Sequence, residues 1–185
     1  TPLKESKLLN TKPKRLSRKT IIKSPWVNHH IDKVEFPGGR IADQHHILEH
    51  DAEAVAALIT NEQNEILMIQ AYRYVTDSIE WEIPAGLIDP GEAIIDAGKR
   101  EVFEETGYET SGVKLFYTYH PMNGISNKVF DIVRGKALAR TGEFDVNEVK
   151  SVTWHTPETI KQMIADNTIK DGYSLTALLL HLLQT

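Results

Sequence analysis

The segment from Gly86 to Tyr108 constrains this 185-residue chain more than any other. Residues 94–106 read as a helix rather than a strand, because Ile95 and Val102 recur at helical spacing among Glu, Lys and Arg. Glu101, Glu104 and Glu105 then stand at i, i+3 and i+4, which puts three carboxylates on one helical face. Like charges so placed repel, and an isolated helix disfavours them. A divalent cation reverses that cost, since hard Mg2+ takes oxygen ligands, keeps several waters and bridges to phosphate. Glu92 adds a fourth carboxylate near the helix start, where the positive end of the dipole favours it. Arg100 can orient a carboxylate through its planar fork. Gly86 and Gly91 flank a tight loop, Leu87-Ile88-Asp89-Pro90, and glycines let backbone approach a ligand closely. A solvated acidic face explains any one of these glutamates, but not the spacing of the whole set.

That spacing is Gly86, five residues, Glu92, seven residues, Arg100-Glu101-Val102, one residue, Glu104-Glu105, one residue, Gly107, then Tyr108. It resembles the Nudix box, Gly-x5-Glu-x7-Arg-Glu-U-x-Glu-Glu-x-Gly-U, where U is bulky and apolar. All seven fixed positions match, with Tyr108 a mild departure at the second U. Chance agreement is on the order of 10⁻⁸ per starting point at average residue usage. The resemblance implies a Nudix α/β/α sandwich with a mixed β-sheet and an N-terminal β-hairpin arm. It also implies Mg2+, with Mn2+ as a substitute, held by Glu101, Glu104, Glu105 and the backbone carbonyl of Ala85, and supported by Glu92. Cations there neutralise phosphates and acidify an attacking water.

The surroundings of the box bear on substrate. Glu82-Ile83-Pro84-Ala85-Gly86-Leu87 looks like the branch of the family that hydrolyses ADP-ribose and nucleoside diphosphate sugars, as does Gln70-Ala71-Tyr72-Arg73. By that resemblance Arg73 holds a phosphate and Glu82 a ribose or base edge; the plainer alternative pairs Arg73 with Asp77 or Glu80. In that branch an N-terminal segment crosses to a partner subunit, so Trp26 in Ser24-Pro25-Trp26 stacks on the base, packs at a dimer seam, or does both. Gly124 and Ser126, in the loop His120–Asn127, are further substrate-binding candidates. One position departs: Asn123 precedes Gly124 where ADP-ribose enzymes usually carry proline, which favours a broader nucleoside diphosphate sugar hydrolase. A late loop, residues 141–148, offers Glu143, Asp145 and Glu148 as the catalytic base that closes over substrate, beside Arg100, Glu104 and Glu105. The expected products are a nucleoside monophosphate and a sugar phosphate. Two other readings keep the box: hydrolysis of nucleoside triphosphates or capped RNA, and a non-catalytic ADP-ribose sensor. The sensor is disfavoured because all four box glutamates are present.

Composition limits the rest. The length suits one domain with a real core, expected over residues 25–185; the resemblance implies that the hairpin at 25–50 lies at a homodimer interface. Cysteine is absent, which removes disulfides, zinc–thiolate sites and thiol catalysis. No apolar run approaches the roughly 20 residues of a membrane span, and no signal-peptide pattern occurs; a cytoplasmic protein is the expectation. Net charge is −5, yet residues 1–24 hold eight basic residues against Glu5 alone, leaving 13 bases and 25 acids in the remainder. This basic arm reads as irregular over residues 1–20. With no aromatics interleaved, it points to a solvated leader strand or an arm lying on the acidic body rather than a contact with nucleic acid or an anionic ligand. His29-His30 and His45-His46 do not form two-ligand units, because neighbours on a strand face opposite ways; surface or edge positions are expected for them.

Overall fold

The computed structural model describes residues 12–184, so the expectation for residues 1–11 lies outside them. The described chain divides into two compact units: residues up to Asp51 with Met122–Lys128, and Ala52–Pro121 with Val129 onward.

The first unit is a three-stranded antiparallel sheet of β1 (Lys14–Ile22), β2 (Asn28–Glu35) and β3 (Ile41–Glu49), with β2 central. The irregular reading of residues 1–20 therefore fails from Lys14 to Thr20. That stretch has no apolar alternation and is largely exposed; it is a strand because its polar groups find cross-strand partners. Arg18 lies in register with Asp32 and grips it bidentately at 2.8 and 3.0 Å, while reaching Glu49 at 3.2 Å. Thr20 lies in register with His30, whose Nε2 meets Glu49 at 2.9 Å. His30 is buried on the central strand, which corrects the surface expectation for it. Its neighbour His29 faces the other way and stacks on His46 with ring centroids 5.2 Å apart.

The second unit is built on a mixed sheet in the order β10-β5-β4-β9-β8, with β6 beside β5 and β7 beside β4. Its strands are β4 (Ala54–Thr60), β5 (Ile66–Arg73), β6 (Ser78–Glu82), β7 (Ala85–Leu87), β8 (Tyr108–Tyr119), β9 (Phe130–Arg140) and β10 (Val149–His155). β4 and β9 run parallel; the other pairs are antiparallel. Every residue of β4 is buried, as a strand covered on both faces requires. Period-two alternation sorts its side chains. Ala54, Ala56 and Leu58 join a core with Ile66, Met68, Ile132, Ile160 and Leu178. Val55, Ala57 and Ile59 join another with Leu67, Ala97, Val102 and Val133. Fully burying such a branched side chain contributes about 1.5–3 kcal/mol.

Three helices cover these faces: α1 (Ile94–Thr106) on the second core, and α2 (Pro157–Ala165) and α3 (Gly172–Leu182) on the first. The α/β/α sandwich with a mixed sheet is therefore present. α1 packs closely because Gly98 has no side chain; a Cβ there would lie 2.5 Å from Val133 Cγ2. α2 starts as its sequence dictates, with Thr156 Oγ1 accepting from the Thr159 N–H at 3.1 Å and proline in the first turn. Asp171 and Gly172 begin α3: Asp171 caps the Ser174 N–H at 2.8 Å. No helix among the described residues is long and apolar enough to cross a membrane.

Candidate active site

α1 covers the bounds that its sequence predicts, and its end is set by Gly107 at φ 73°. A Cβ on Gly107 would lie 2.0 Å from the Gly142 carbonyl, so this position needs glycine for space as well as for conformation. The Gly107 carbonyl accepts from the N–H groups of Thr141 and Gly142 at 2.9 and 3.1 Å, and the Glu104 carbonyl accepts from Asp145 N–H at 3.2 Å. These bonds tie the late loop to the end of α1. The result is a cleft of about 570 Å³ lined by Glu101, Glu104, Glu105, Glu143, Asp145 and Glu148, with Phe103 and Phe144. Six carboxylates predicted from two distant stretches of sequence thus share one cleft. The sequence does not single out the two phenylalanines: the box leaves position 103 unspecified, and Phe144 lies outside it.

At the other end of the box, Gly86 is not in a loop. It belongs to β7, in register with Val55 of β4, and the inclusion of Leu87 in the same strand shortens the tight loop expected at residues 87–90. The glycine makes room for a carboxylate: a Cβ there would lie 2.1 Å from Glu101 Oε1. The N–H of Ala85 donates to Glu105 Oε2 at 3.0 Å. Arg100 organises the rest. Its Nε and Nη2 grip Glu92 at 3.0 and 2.9 Å, its Nη1 reaches Glu101 at 2.7 Å and Glu104 at 3.1 Å, and Nη2 also donates to the Leu87 carbonyl at 2.9 Å. Glu92 additionally accepts from Asp89 N–H at 3.1 Å.

The electrostatics follow from this geometry. The Arg100 fork holds the Glu92 carboxyl below the usual range. Burial pushes Glu101 up, against the pull of Arg100 and with help from Glu104 and Glu148. Burial pushes Glu105 up to about 8; the Ala85 N–H opposes this and the Glu101 charge adds to it. A buried carboxyl crowded by another carboxylate favours a proton or a cation. An all-oxygen donor set, a glycine leaving space for Glu101 and a charge-starved Glu105 fit a hard divalent ion. Among the described residues, no three acidic or imidazole groups already converge as a complete metal shell. Arg100 accounts for this, since it draws Glu101 and Glu104 to itself.

The other predicted residues fall into three places. Arg73 pairs with neither Asp77 nor Glu80 but grips Glu82 through Nε, at 2.7 Å, and Nη2. The pair forms across the β5–β6 ladder, and Glu82 is buried while Arg73 is half-exposed. Burial raises the Glu82 carboxyl despite its partner. Within the late loop, Asp145 Oδ1 accepts from the N–H and the side-chain amide of Asn147, at 2.8 and 2.7 Å. Trp26, Gly124 and Ser126 belong to the other unit. Trp26 is 74% exposed at the β1–β2 connection, Gly124 is exposed, and Ser126 is buried with its Oγ accepting from Lys128 N–H at 3.1 Å.

Sandwich, box and acidic cleft together define a hydrolase domain of the Nudix class. The NUDIX domain model matches residues 50–177, and the chain belongs to that family. It is 36% identical over 95 residues to a CMP-5'-(N-acetyl-N-hydroxy-3-aminopropyl)phosphonate hydrolase of Streptomyces rubellomurinus, a match covering 51% of this chain and 45% of that protein. The chain thus spans less than half of that relative. It is 25% identical to an ADP-ribose pyrophosphatase of Bacillus subtilis across 89% of this chain and 90% of the other. A crystal structure of an ADP compounds hydrolase superposes with a TM-score of 0.82 at 22% identity, covering 92% of both chains, which establishes the likeness of fold.

Proposed function

We propose that this domain hydrolyses the pyrophosphate bond of nucleoside diphosphate sugars such as ADP-ribose, with Mg2+, releasing a nucleoside monophosphate and a sugar phosphate; Mn2+ substitutes. The observation that carries this reading is the cleft in which the box carboxylates meet the late-loop acids. Glu101, Glu104 and Glu105, with the Ala85 carbonyl, would hold the metal. When bound, it neutralises the two phosphates and acidifies the attacking water. Arg100, steadied by Glu92, keeps the carboxylates oriented and sets the distance between them. Glu148 takes the proton of the water on its carboxylate. It is favoured over Asp145, whose carboxylate is engaged by Asn147, and over Glu143, because the charge of Glu148 is felt at Glu101. Arg73 offers its exposed guanidinium edge to a substrate phosphate while Glu82 holds it in place.

Family resemblance supports Trp26 as a stacking surface for the base and Gly124 and Ser126 as further substrate contacts. It also supports a homodimer formed through the hairpin unit, where Ile21, Ile22 and Trp26 are exposed. Incubation with Mg2+ and a panel of ADP-ribose, ADP-glucose, GDP-mannose, ATP and capped RNA tests the reading. Turnover of the sugar nucleotides is expected; hydrolysis of ATP or RNA alone would overturn it.

A further inference from the structure

The face of the sheet opposite α1 holds a second, differently charged pocket. Leu58↔Arg134 and Thr60↔Lys136 are cross-strand pairs of β4 and β9, and they continue the row of Ala54, Ala56, Phe130 and Ile132 that faces α2 and α3. Lys114 of β8 lies in register with Arg134. With His181 from α3, these residues line a pocket of about 340 Å³ whose floor includes Leu58 and Thr60, and no carboxylate lines it. Like charges directly opposed across strands are destabilising. Here the oxygens that meet Arg134 and Lys136 are neutral. Arg134 Nη1 donates to Gln184 Oε1 at 3.0 Å, and Lys136 Nζ donates to the Asn61 carbonyl and Asn64 Oδ1 at 3.1 and 3.2 Å. Arg134 also lies 4.5 Å over the Phe116 ring, which holds its plane in a defined orientation. Among the described residues, none of the three cations has an ion-pair partner. Chance makes a poor account of this. From residue 25 onward acids outnumber bases by 25 to 13, yet three of those bases converge on one concavity without an acid. The field of Arg134 and Lys136 also reaches His181 and adds to burial in lowering its pKa.

We propose that the pocket of Lys114, Arg134, Lys136 and His181 is a binding site for a phosphate group, as inorganic phosphate or as a phosphate monoester, separate from the acidic cleft. An oriented guanidinium sharing a pocket with two lysines suits a dianionic tetrahedral oxyanion. At about 340 Å³ the concavity admits one such group with room for an attached ester.

The test titrates the full chain, free of metal and at constant ionic strength, with inorganic phosphate and in parallel with AMP. The His181 ring resonances and the Tm are followed. Saturable shifts of the His181 signals and a rise in Tm are expected, because a ligand that binds only the folded state stabilises it. Tighter binding of AMP assigns a monoester; equal or weaker binding assigns phosphate itself. The double variant Lys114→Gln/Lys136→Gln should lose affinity by about tenfold or more, whereas Glu105→Gln should keep it. The proposal is overturned if the His181 signals do not move, if chloride moves them equally, if the double variant binds as the parent does, or if only a polynucleotide binds. Should the double variant not fold, Lys136→Gln alone and the parent titration decide.

Discussion

On the α1 face six carboxylates crowd one cleft, and a single guanidinium, Arg100, binds three glutamates of the box. On the α3 face two lysines, an arginine and a histidine share a pocket, where Arg134 and Lys136 donate to amide and carbonyl oxygens. The difference is where the compensation lies. The acidic site carries much of its own, through the Arg100 fork, the Ala85 N–H and the bonds that tie the late loop to Gly107 and Glu104. What stays uncompensated is concentrated on Glu105, the most buried of the cluster. The basic pocket leaves its charge to solvent and to whatever enters. The first site is therefore built around one defined geometry, and the second should respond to ionic conditions.

The largest expected effect attacks the uncompensated carboxylate. Glu105→Gln keeps the shape and the acceptor for Ala85 N–H but removes the charge. Turnover of ADP-ribose with Mg2+ should fall on the order of 10³-fold, with an unchanged circular dichroism spectrum. Near-normal turnover would detach the α1 face from the chemistry.

A smaller effect separates the late-loop acids. Glu148→Gln should lower kcat by about 10²-fold and remove the alkaline-favoured limb of the pH–rate profile. Asp145→Asn should act mainly on the loop, since its partners are Asn147 and the turn that its carbonyl closes at Glu148 and Val149. If Asp145→Asn proves the more damaging to kcat, the base is misassigned.

How much of this was legible in the sequence follows from how local each cause is. The bounds of α1 were readable because helical spacing, acids and a terminal glycine all lie within one short segment. β4 and β5 carry their cause within themselves, because a doubly covered strand is a continuous apolar run. β1 does not, because it is a strand for the sake of Asp32, His30 and Glu49, which lie on other strands. The Arg73–Glu82 pair was missed for a related reason. Candidates were sought along the turn, at Asp77 and Glu80, whereas Tyr72 takes Asp77 at 2.5 Å, Ser78 takes Glu80 at 2.7 Å, and the β5–β6 register decides the rest. The basic pocket draws on β4, β8, β9 and α3, and no single stretch of sequence announces it.

Next in size is a pH effect on the metal-free protein. Glu105 has a folded-state pKa of about 8, raised from an ordinary value of 4.5. The unfolded chain therefore releases this proton first as pH rises. The stability it contributes is complete below about pH 4.5 and is lost as pH climbs through 8. Glu82 and Glu101 are raised as well and act in the same sense. Asp32, Glu49 and Glu92 are lowered, so their losses come in acid, below this window. In EDTA, Tm should drop from neutral to mildly alkaline pH, above the acidic window in which the lowered His155 and His181 act in the opposite sense, and Glu105→Gln should flatten the drop. A Tm that rises over the same interval would show that Glu105 is not the strained group.

The smallest effect probes the other face. Lys114→Gln removes one member of the cross-strand pair with Arg134, and relief of like-charge opposition there is worth about 0.2–1 kcal/mol. Tm in dilute buffer without phosphate should therefore rise slightly, and the gain should shrink as salt screens the parent. Adding phosphate should reverse the order, because the parent is then stabilised by a ligand that the variant binds poorly. An acidic cluster compensated from within, like that on α1, would show no such reversal. If Lys114→Gln lowers Tm at every salt and phosphate concentration, the cations on β8 and β9 are held by the fold itself, and the contrast between the two faces disappears.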